Sequence, residues 1–588
     1  MTHLNPQSPG LQLRPYLLSA LLFALSYPSF PWVRLEILAW IWMVPMLLAL
    51  RSVESFWRFT LLAGITMMSG WACAMSWLAW GSTAGAMAIV FLVSVVTTVP
   101  FAAFFVIQKV LGRRWALLTL PVVWTAWEWC YQNIDGMVAW PGIAVTQHKL
   151  TWLIQYIDIT GMWGIVFWLV LLNILIVMAV ETRGQGTGDR GQDWKTRGQG
   201  TGDRGQGRNK SESNSISSLS ILHSSFSILN SSFIQRLVLI AVVMFGLPLL
   251  YAAFIFSQVD QSAGGQSIRV MAVQPNIDPW QKSSPEIRQK VVGSIVNQTN
   301  EALNIRPEKP DLIVWPEVAI PVPLLQDELA REFVFRNVTR WNIPVVTGTI
   351  DARKNTEPAA VSSTGLENSK KKPELYNAAV FLAPLQTESG TRLIRPSEPY
   401  HKRKLMPFAE EVPYSKHFPG LSSLAVELNW NQTFTRGNGL TLFSVQQGPG
   451  QVVKVAAPIC YEHFYPSLIA EFVRNGAQVI TLLSNDAWFS KSHGEYQIAA
   501  FTTLRAIETR RSIVRCTNTG LTCFIDPFGR VYRDIPWWQE DSVTGDVALS
   551  SRMSLYVRFP DAFPKICFCG VVVLGIVAGL NRVRFPKN

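Results

Sequence analysis

Through its first third the chain alternates long apolar runs with short polar breaks, and the pattern changes twice after that. A bilayer core of about 30 Å takes about 20 mostly apolar residues as a helix. Runs of that kind lie at 16–32, 36–50, 59–80, 84–108, 115–132, 152–180, 234–257 and 564–581, and they predict eight membrane-spanning helices. Arg14 precedes the first run as it would in a signal peptide. However, Tyr27, Pro28 and Pro31 make a poor cleavage site and more runs follow, so an uncleaved helix is expected.

Between the sixth and seventh runs the chain turns polar and repetitive. "TRGQGTGDRGQ" begins at Thr182 and again at Thr196, and "SILHSSF" at Ser220 is followed by "SILNSSF" at Ser227. Gly-rich polar repeats bury too little apolar surface to offset their ordering entropy, so a flexible insertion is expected over 182–233.

From Ser267 short β-branched runs alternate with helical stretches. "IRVMAVQPN", "DLIVWPE", "IPVVTGTI", "YNAAVFLAP", "VVKVAAPIC", "VITLLSND", "SIVRCTNTG" and "TCFIDPFGR" read as strands, and Ser284–Asn304, Pro466–Asn475 and Glu495–Thr509 as helices. That alternation predicts a layered α/β domain. The chain therefore divides into helices one to six (1–181), the insertion (182–233), helix seven (234–257), an α/β domain (258–563), and helix eight with a short tail (564–588).

The net charge of +12 raises the question of nucleic acid. Its lysines and arginines gather beside apolar segments rather than along one stripe with interleaved aromatics, so membrane topology explains them and no nucleic acid is expected. Positive flanks stay cytoplasmic. Arg14, the pair Arg51 and Arg58, the trio Lys109, Arg113 and Arg114, the eight basic residues from Arg183 to Arg236, and Arg582, Arg584 and Lys587 fall on alternate sides of the runs from Arg34 and Lys149. Seven crossings from a cytoplasmic amino terminus then place Ser257–Pro564 outside the cytoplasm. The seven cysteines lack paired zinc-type spacing, so neither a structural metal nor a disulfide framework is expected.

Three side chains could carry chemistry. Cys460 ends the apolar strand of "APICYEHFYP", and Pro466 opens a helix just beyond, so the thiol stands at a sheet rim where ligands bind. A lone cysteine there is more often a buried filler, and a thiol with an ordinary pKa near 8.5 needs a base or a cation to react. Glu317, in "IVWPEVAIP", is a carboxylate against apolar walls that raise its pKa toward the range of a general base. Lys402, in "YHKRKLMPFAEEVPY", alone would read as part of a solvated basic patch. Together, at strand ends of one domain, the three supply a base, an oxyanion-stabilising ammonium and a nucleophile.

The segments "VWPE", "YNAAVF", "YHKRKLMPFAEEVP", "APICYE", "SNDAWF" and "LRAIETRRSIVRCTNTG" resemble the nitrilase superfamily. With seven spans before and one after, the chain is similar to that superfamily's membrane-embedded apolipoprotein N-acyltransferase family. The resemblance implies an αββα sandwich as the catalytic domain of 258–563, on the periplasmic side of a multi-pass inner-membrane protein. It implies Glu317, Lys402 and Cys460 as catalytic, with Lys402 rather than Lys404 fitting the motif frame. Glu410, Tyr461 and Glu462 are supporting in that comparison, and Trp488 and Phe489 lie near the acyl chain. Two departures stand out: "PFAE" in place of "PFGE" and "NDAWFS" in place of "NDGWFG".

The implied reaction is transfer of an acyl group from a phospholipid donor, through a cysteine thioester, to the amino-terminal diacylglyceryl-cysteine of an apolipoprotein, with no cofactor and no metal. Phe418–Trp430 and Pro536–Trp538 are either interfacial lids or ordinary surface loops. Arg505 and Glu508 are either a structural ion pair or substrate ligands. A membrane-tethered amidase would use the same triad with water. A transporter or sensor with an external binding domain would need more intramembrane charge than Glu128 and Asp158 offer.

Overall fold

Proline and glycine set the limits of the apolar helices. The computed structural model describes residues 9–28, 32–81, 83–139, 141–196, 232–260, 265–278, 285–305, 308–354, 373–386, 392–415, 418, 434–448, 450–487 and 491–584. Helix α1 (Pro9–Ser26) stops before Pro28, short of the expected limit at 32. The run at 36–50 is not one helix: a 3-10 turn at Glu36–Trp40 gives way to the seven-residue α2 (Met43–Ala49). Helices α3 (Phe56–Ala74), α4 (Thr83–Leu111) and α5 (Arg113–Gln132) follow, with Gly112 at φ 87 between the last two. The sixth run starts late. A single turn, α6 (Ile157–Thr160), ends at Gly161, and α7 (Trp163–Thr196) begins after it.

Helix α7 runs into the first repeat, past the expected boundary at 181, since each residue added to a formed helix gains a hydrogen bond without a new nucleation cost. The rest of that insertion, 197–231, lies outside the described residues. Helix α8 (Ser232–Asp260) supplies the seventh run.

Among the described residues four stretches are long and apolar enough to cross a membrane: Thr83–Leu111, Trp163–Thr182, Val238–Gln258 and Ala562–Leu580. The apolar part of α1, Leu13–Ser26, is shorter, and α5 carries more polar sequence, holding Arg113, Arg114 and Glu128. The outward faces are apolar. Leu239, Leu247 and Leu250 in the seventh run and Ile566, Val573 and Ile576 in the last are exposed, a surface suited to hydrocarbon rather than water.

The remaining chain forms two facing sheets. The first has the order β14-β1-β2-β4-β5-β6, with β3 on β4 and β7 on β5. Its strands are β1 (Ser267–Gln274), β2 (Leu312–Val314), β3 (Ile320–Pro323), β4 (Val345–Arg353), β5 (Glu374–Gln386), β6 (Arg392–Pro396), β7 (Tyr400–His401) and β14 (Asp541–Ala548). The second runs β13-β12-β11-β10-β9-β8, from β8 (Leu442–Gln446), β9 (Val452–Ala456), β10 (Val479–Ser484), β11 (Ile513–Thr517) and β12 (Thr522–Ile525) to β13 (Val531–Ile535). Strands β9, β10 and β11 are parallel, and β10 and β11 are buried along their whole length, as a sheet covered on both faces requires.

One apolar cluster joins the sheets, with Val270, Val314 and Phe381 facing Val455, Leu482 and Val514. A second packs α9 (Pro285–Ile305) and α10 (Glu328–Trp341) onto the outer face of the first sheet. Helices α11 (Pro466–Arg474) and α12 (Gly494–Thr509) lie with the second sheet, completing four layers.

Helix α12 also fixes where the sandwich sits. Ile498, Phe501, Leu504 and Ile507 belong to the same core as the membrane helices, alongside Trp71, Trp77 and Trp163. Polar contacts lock the joint. Trp77 Nε1 donates to Gln497 Oε1 (3.0 Å), the Met162 amide donates to Glu508 Oε1 (2.6 Å), and Arg510 reaches Asp158 and Gln155. Asp158 is therefore a partner of the catalytic domain. Arg505 and Glu508, 3.0 Å apart and both buried, form a structural pair in the same joint.

Candidate active site

Glu317 follows the buried strand β2 and is carried over β4. The Trp315 amide donates to Val346 O (2.8 Å) and the Gly348 amide to Pro316 O (3.2 Å), laying the Pro316–Glu317 backbone directly on β4. Only glycine fits beneath it: a Cβ at 348 would stand 2.5 Å from Pro316 O and 2.7 Å from Glu317 Cα. The Glu317 side chain is thus held by main chain on a rigid strand.

Lys402 comes from the adjoining strand pair. β7 pairs with β5 at Tyr400 and His401, the Lys402 amide donates to Asn377 O (2.8 Å), and the Gly437 amide donates to Lys402 O (2.8 Å). Its ammonium is buried and lies 3.0 Å from Glu317 and 2.9 Å from Glu410. Asn377 ties the two acids together, its Nδ2 donating to Glu317 Oε1 and Glu410 Oε1 at 2.8 Å each. The Met406 amide caps the remaining Glu410 oxygen at 2.8 Å. Burial works against the charge on Lys402, yet Glu317, Glu410 and Cys460 together hold its ammonium above the usual lysine range.

Cys460 opens a 3-10 turn, Cys460–Phe464, after Ile459 bridges to Leu483 beside β10. Its φ is 45°, a left-handed backbone that costs a non-glycine residue about 1–3 kcal/mol and turns the side chain away from the strand line. Close to the thiol, Ser484 at the end of β10 donates to Asp486 Oδ1 (2.7 Å), and Asp486 is held by the buried Arg515. Burial pushes the thiol pKa up, the Glu317 charge adds to that, and Lys402 opposes it. Burial also raises Glu317, Lys402 pulls it down, and the Glu410 charge raises it again. A neutral thiol thus rests in one electrostatic cluster with a carboxylate of raised basicity and a fixed ammonium, the arrangement general-base activation of a nucleophile needs.

Glu462 and Tyr461 do different work. Glu462 is buried, and its Oε1 accepts from Tyr400 Oη (2.7 Å), the Arg403 amide (2.7 Å) and the Lys404 amide (3.3 Å), while Oε2 accepts from the Ile459 amide (2.8 Å). It staples the lysine loop to the cysteine turn. Tyr461 Oη accepts from the Ala139 amide at 2.9 Å, so the residue after the cysteine is tied to the helical domain.

The model for the carbon-nitrogen hydrolase family matches residues 264–555, and that for the apolipoprotein N-acyltransferase N-terminal domain matches 19–175. The apolipoprotein N-acyltransferase of Chlorobaculum tepidum is 34% identical over 575 residues, covering 96% of this chain and 96% of its own. The chain belongs to the apolipoprotein N-acyltransferase family. A further member, from Geobacter metallireducens, is 26% identical over 587 residues, covering 97% of each. Among solved structures, Saccharomyces cerevisiae Nit3 of the nitrilase superfamily is 16% identical, covering 48% of this chain and 90% of its own, with a TM-score of 0.33. That value is too low to add to the sheet order.

In this member of the apolipoprotein N-acyltransferase family the structure brings Glu317, Lys402, Glu410 and Cys460 into one cluster, with Glu462 behind them. Trp488 and Phe489 lie outside the described residues, as do 419–430 of the expected Phe418–Trp430 loop. Trp538 faces inward to Glu495, its Nε1 donating at 3.3 Å. Asn377 and Ser484 escaped the sequence reading of roles. Both stand inside quoted motifs, "YNAAVF" and "SNDAWF", and a polar residue interrupting or ending an apolar strand was the available signal.

Proposed function

We propose that Cys460 carries an acyl group taken from a phospholipid ester and passes it to the α-amine of a diacylglyceryl-cysteine at the amino terminus of an apolipoprotein. The observation that carries this reading is the buried contact of Lys402 with Glu317 and Glu410 beside a thiol on a strained turn, in a chain of this family.

In the first step Glu317 takes the thiol proton as Sγ attacks the ester carbonyl. The ester C–O bond breaks, the proton goes to the leaving alkoxide, and a lysophospholipid departs. In the second step the amine attacks the thioester, the C–N bond forms, the C–S bond breaks, and the amine proton returns through Glu317 to sulfur. The Lys402 ammonium and the Tyr461 backbone N–H stabilise the oxyanion at both steps. Glu410 and Asn377 orient Lys402, and Glu462 holds the two loops in register. Trp488 and Phe489 line the acyl chain in this reading. No cofactor or metal takes part.

In this reading the chain crosses the inner membrane eight times, the second time through the 3-10 turn and α2 in series, keeps the domain boundaries of the sequence apart from the extension of α7 to Thr196, and holds the catalytic domain on the periplasmic side. Support comes from four qualifying helices, the charge alternation of the loops and the apolar outer faces. Both substrates are anchored by acyl chains at about 0.8 kcal/mol per buried CH₂, so the reaction has to be run at the membrane.

Intact mass after incubation with phospholipid tests the reading. The native protein gains one hydroxylamine-sensitive acyl mass and Cys460→Ala gains none. Hydrolysis of small amides without any acyl-enzyme from phospholipid would select a membrane-tethered amidase instead.

A further inference from the structure

Beside the lysine loop lies a cavity of about 480 Å³, lined by Arg403, Lys404, Arg436, Ser467, Glu471 and Arg474. It stands apart from the triad but shares its backbone, because the amides of Arg403 and Lys404 are the ones that Glu462 fixes. Two of the cations are answered: Arg403 faces Glu471 at 3.0 Å, and Arg436 is held by Glu411 and Asp135. Lys404 and Arg474 make no ion pair among the described residues. The Lys404 ammonium rests over the Tyr465 ring, 4.7 Å from its centroid, which leaves its N–H donors for an oxygen acceptor. The first turn of the nine-residue α11 contributes Ser467 and the positive end of its dipole. Four cations, Arg403, Lys404, Arg436 and Arg474, thus stand against three carboxylates, Glu471, Glu411 and Asp135, the last two also acting on Lys404, and one positive charge is left over.

Its place in the molecule names the anion. Pro560 closes one wall, and the membrane-crossing stretch Ala562–Leu580 starts just after it. Leu555 and Phe559 are exposed on the same short connection, an apolar rim next to that stretch and suited to a lipid interface.

We propose that this cavity holds the phosphate of a phospholipid headgroup, with Lys404, Arg474 and Ser467 as its ligands. The site deepens the acyl-transfer reading, on which it rests for taking that lipid to be the acyl donor. The phosphate would then fix the glycerol backbone next to the loop that carries Lys402.

The test uses the full chain in detergent micelles and native mass spectrometry. Phosphatidylglycerol, diacylglycerol with the same chains, and inorganic phosphate are titrated onto the native protein, Cys460→Ala, and the double variant Lys404→Gln/Arg474→Gln. The native protein and Cys460→Ala are expected to retain phosphatidylglycerol about tenfold better than diacylglycerol, the worth of one charge-assisted contact, and the double variant to lose that preference. Equal retention of the two lipids by the native protein, or an unchanged preference in the double variant, overturns the site. Binding of inorganic phosphate that leaves phosphatidylglycerol retention untouched makes it a free-phosphate site and overturns the headgroup assignment. In turnover, the double variant raises KM for phospholipid with kcat held, while acylation of Cys460 by a p-nitrophenyl ester is unaffected. Equal losses with both donors mean a disturbed lysine loop and count against the proposal. Lipid retention does not need the thiol, so a protein that retains phosphatidylglycerol without ever being acylated sinks the acyl-transfer reading and leaves the cavity's ligand standing.

Discussion

Arg510 of the catalytic domain lies 2.9 Å from Asp158 of the helical domain, with both side chains buried. The guanidinium also donates to the Gln155 side chain and main chain, and Gln155 donates to Phe528 O at 3.1 Å. Removing one partner of such a pair leaves an uncompensated charge, at a cost of about 3–5 kcal/mol. Arg510→Ala is therefore expected to lower the thermal midpoint in detergent sharply, and Arg510→Ala with Asp158→Asn to recover part of the loss. Equal midpoints for the single and double variants would show that the charge on Asp158 is not what Arg510 answers.

Glu410 touches the triad through charge as well as geometry. It raises Glu317, so Glu410→Gln lowers the pKa of the base while weakening the hold on Lys402. As the base of the proposed reaction Glu317 would act ionised, and the acid limb of the rate profile would follow its pKa. The variant should acylate Cys460 more slowly with that limb moved to lower pH, read from the pH dependence of acyl-enzyme formation. A slower enzyme with an unmoved limb would assign Glu410 a purely steric role.

Gly348→Ala places a methyl group against Pro316 O and the Glu317 Cα. The backbone carrying the base has to shift, and misplacement on the order of 1 Å costs about 10²-fold in rate. A loss of that size is expected in single-turnover acylation, with the circular dichroism spectrum kept. Full activity would mean that Glu317 is not the base.

Glu495, at the start of α12, is pushed up to about 9, chiefly by burial and then by the neighbouring Asp486 charge, with the Trp538 hydrogen bond opposing. Between its ordinary value of 4.5 and about 9 the folded protein holds a proton that the unfolded chain releases, so stability falls as pH rises through this window. Glu495→Gln carries no such proton. Its melting temperature relative to native should rise from pH 5 to pH 9, and a constant difference would rule the titration out.

Much of the catalytic domain was legible because its strands are short β-branched runs bounded by Pro, Asn, Asp and Gly. The helix expected at Pro466–Asn475 ends at Arg474, and that at Glu495–Thr509 starts at Gly494. Glu317, Lys402 and Cys460 were legible as strand-end residues within ordered motifs. Their contact was not, since a span of sequence does not say which strand ends share an edge. Two features ran against pattern. The strand leading to Cys460 stops at Ala456, because Pro458 has no N–H to give the ladder, and only the isolated Ile459–Leu483 bridge follows before the turn. The 36–50 run has the apolarity of a span yet folds as a 3-10 turn and a short helix, with Glu36 buried and its carbonyl accepting from Gln147 at 3.1 Å. Composition measures apolarity, not helical continuity.

Helix α12 has one further consequence. Its face toward the second sheet and its face toward the membrane helices are both covered, so cutting the chain at 258 and 563 would uncover Ile498, Phe501, Leu504 and Ile507, strip Arg510 of Asp158, and leave Glu508 without the Met162 amide. The sandwich is thus no detachable module. A water-soluble version would have to be resurfaced along that helix before it could be handled without aggregating.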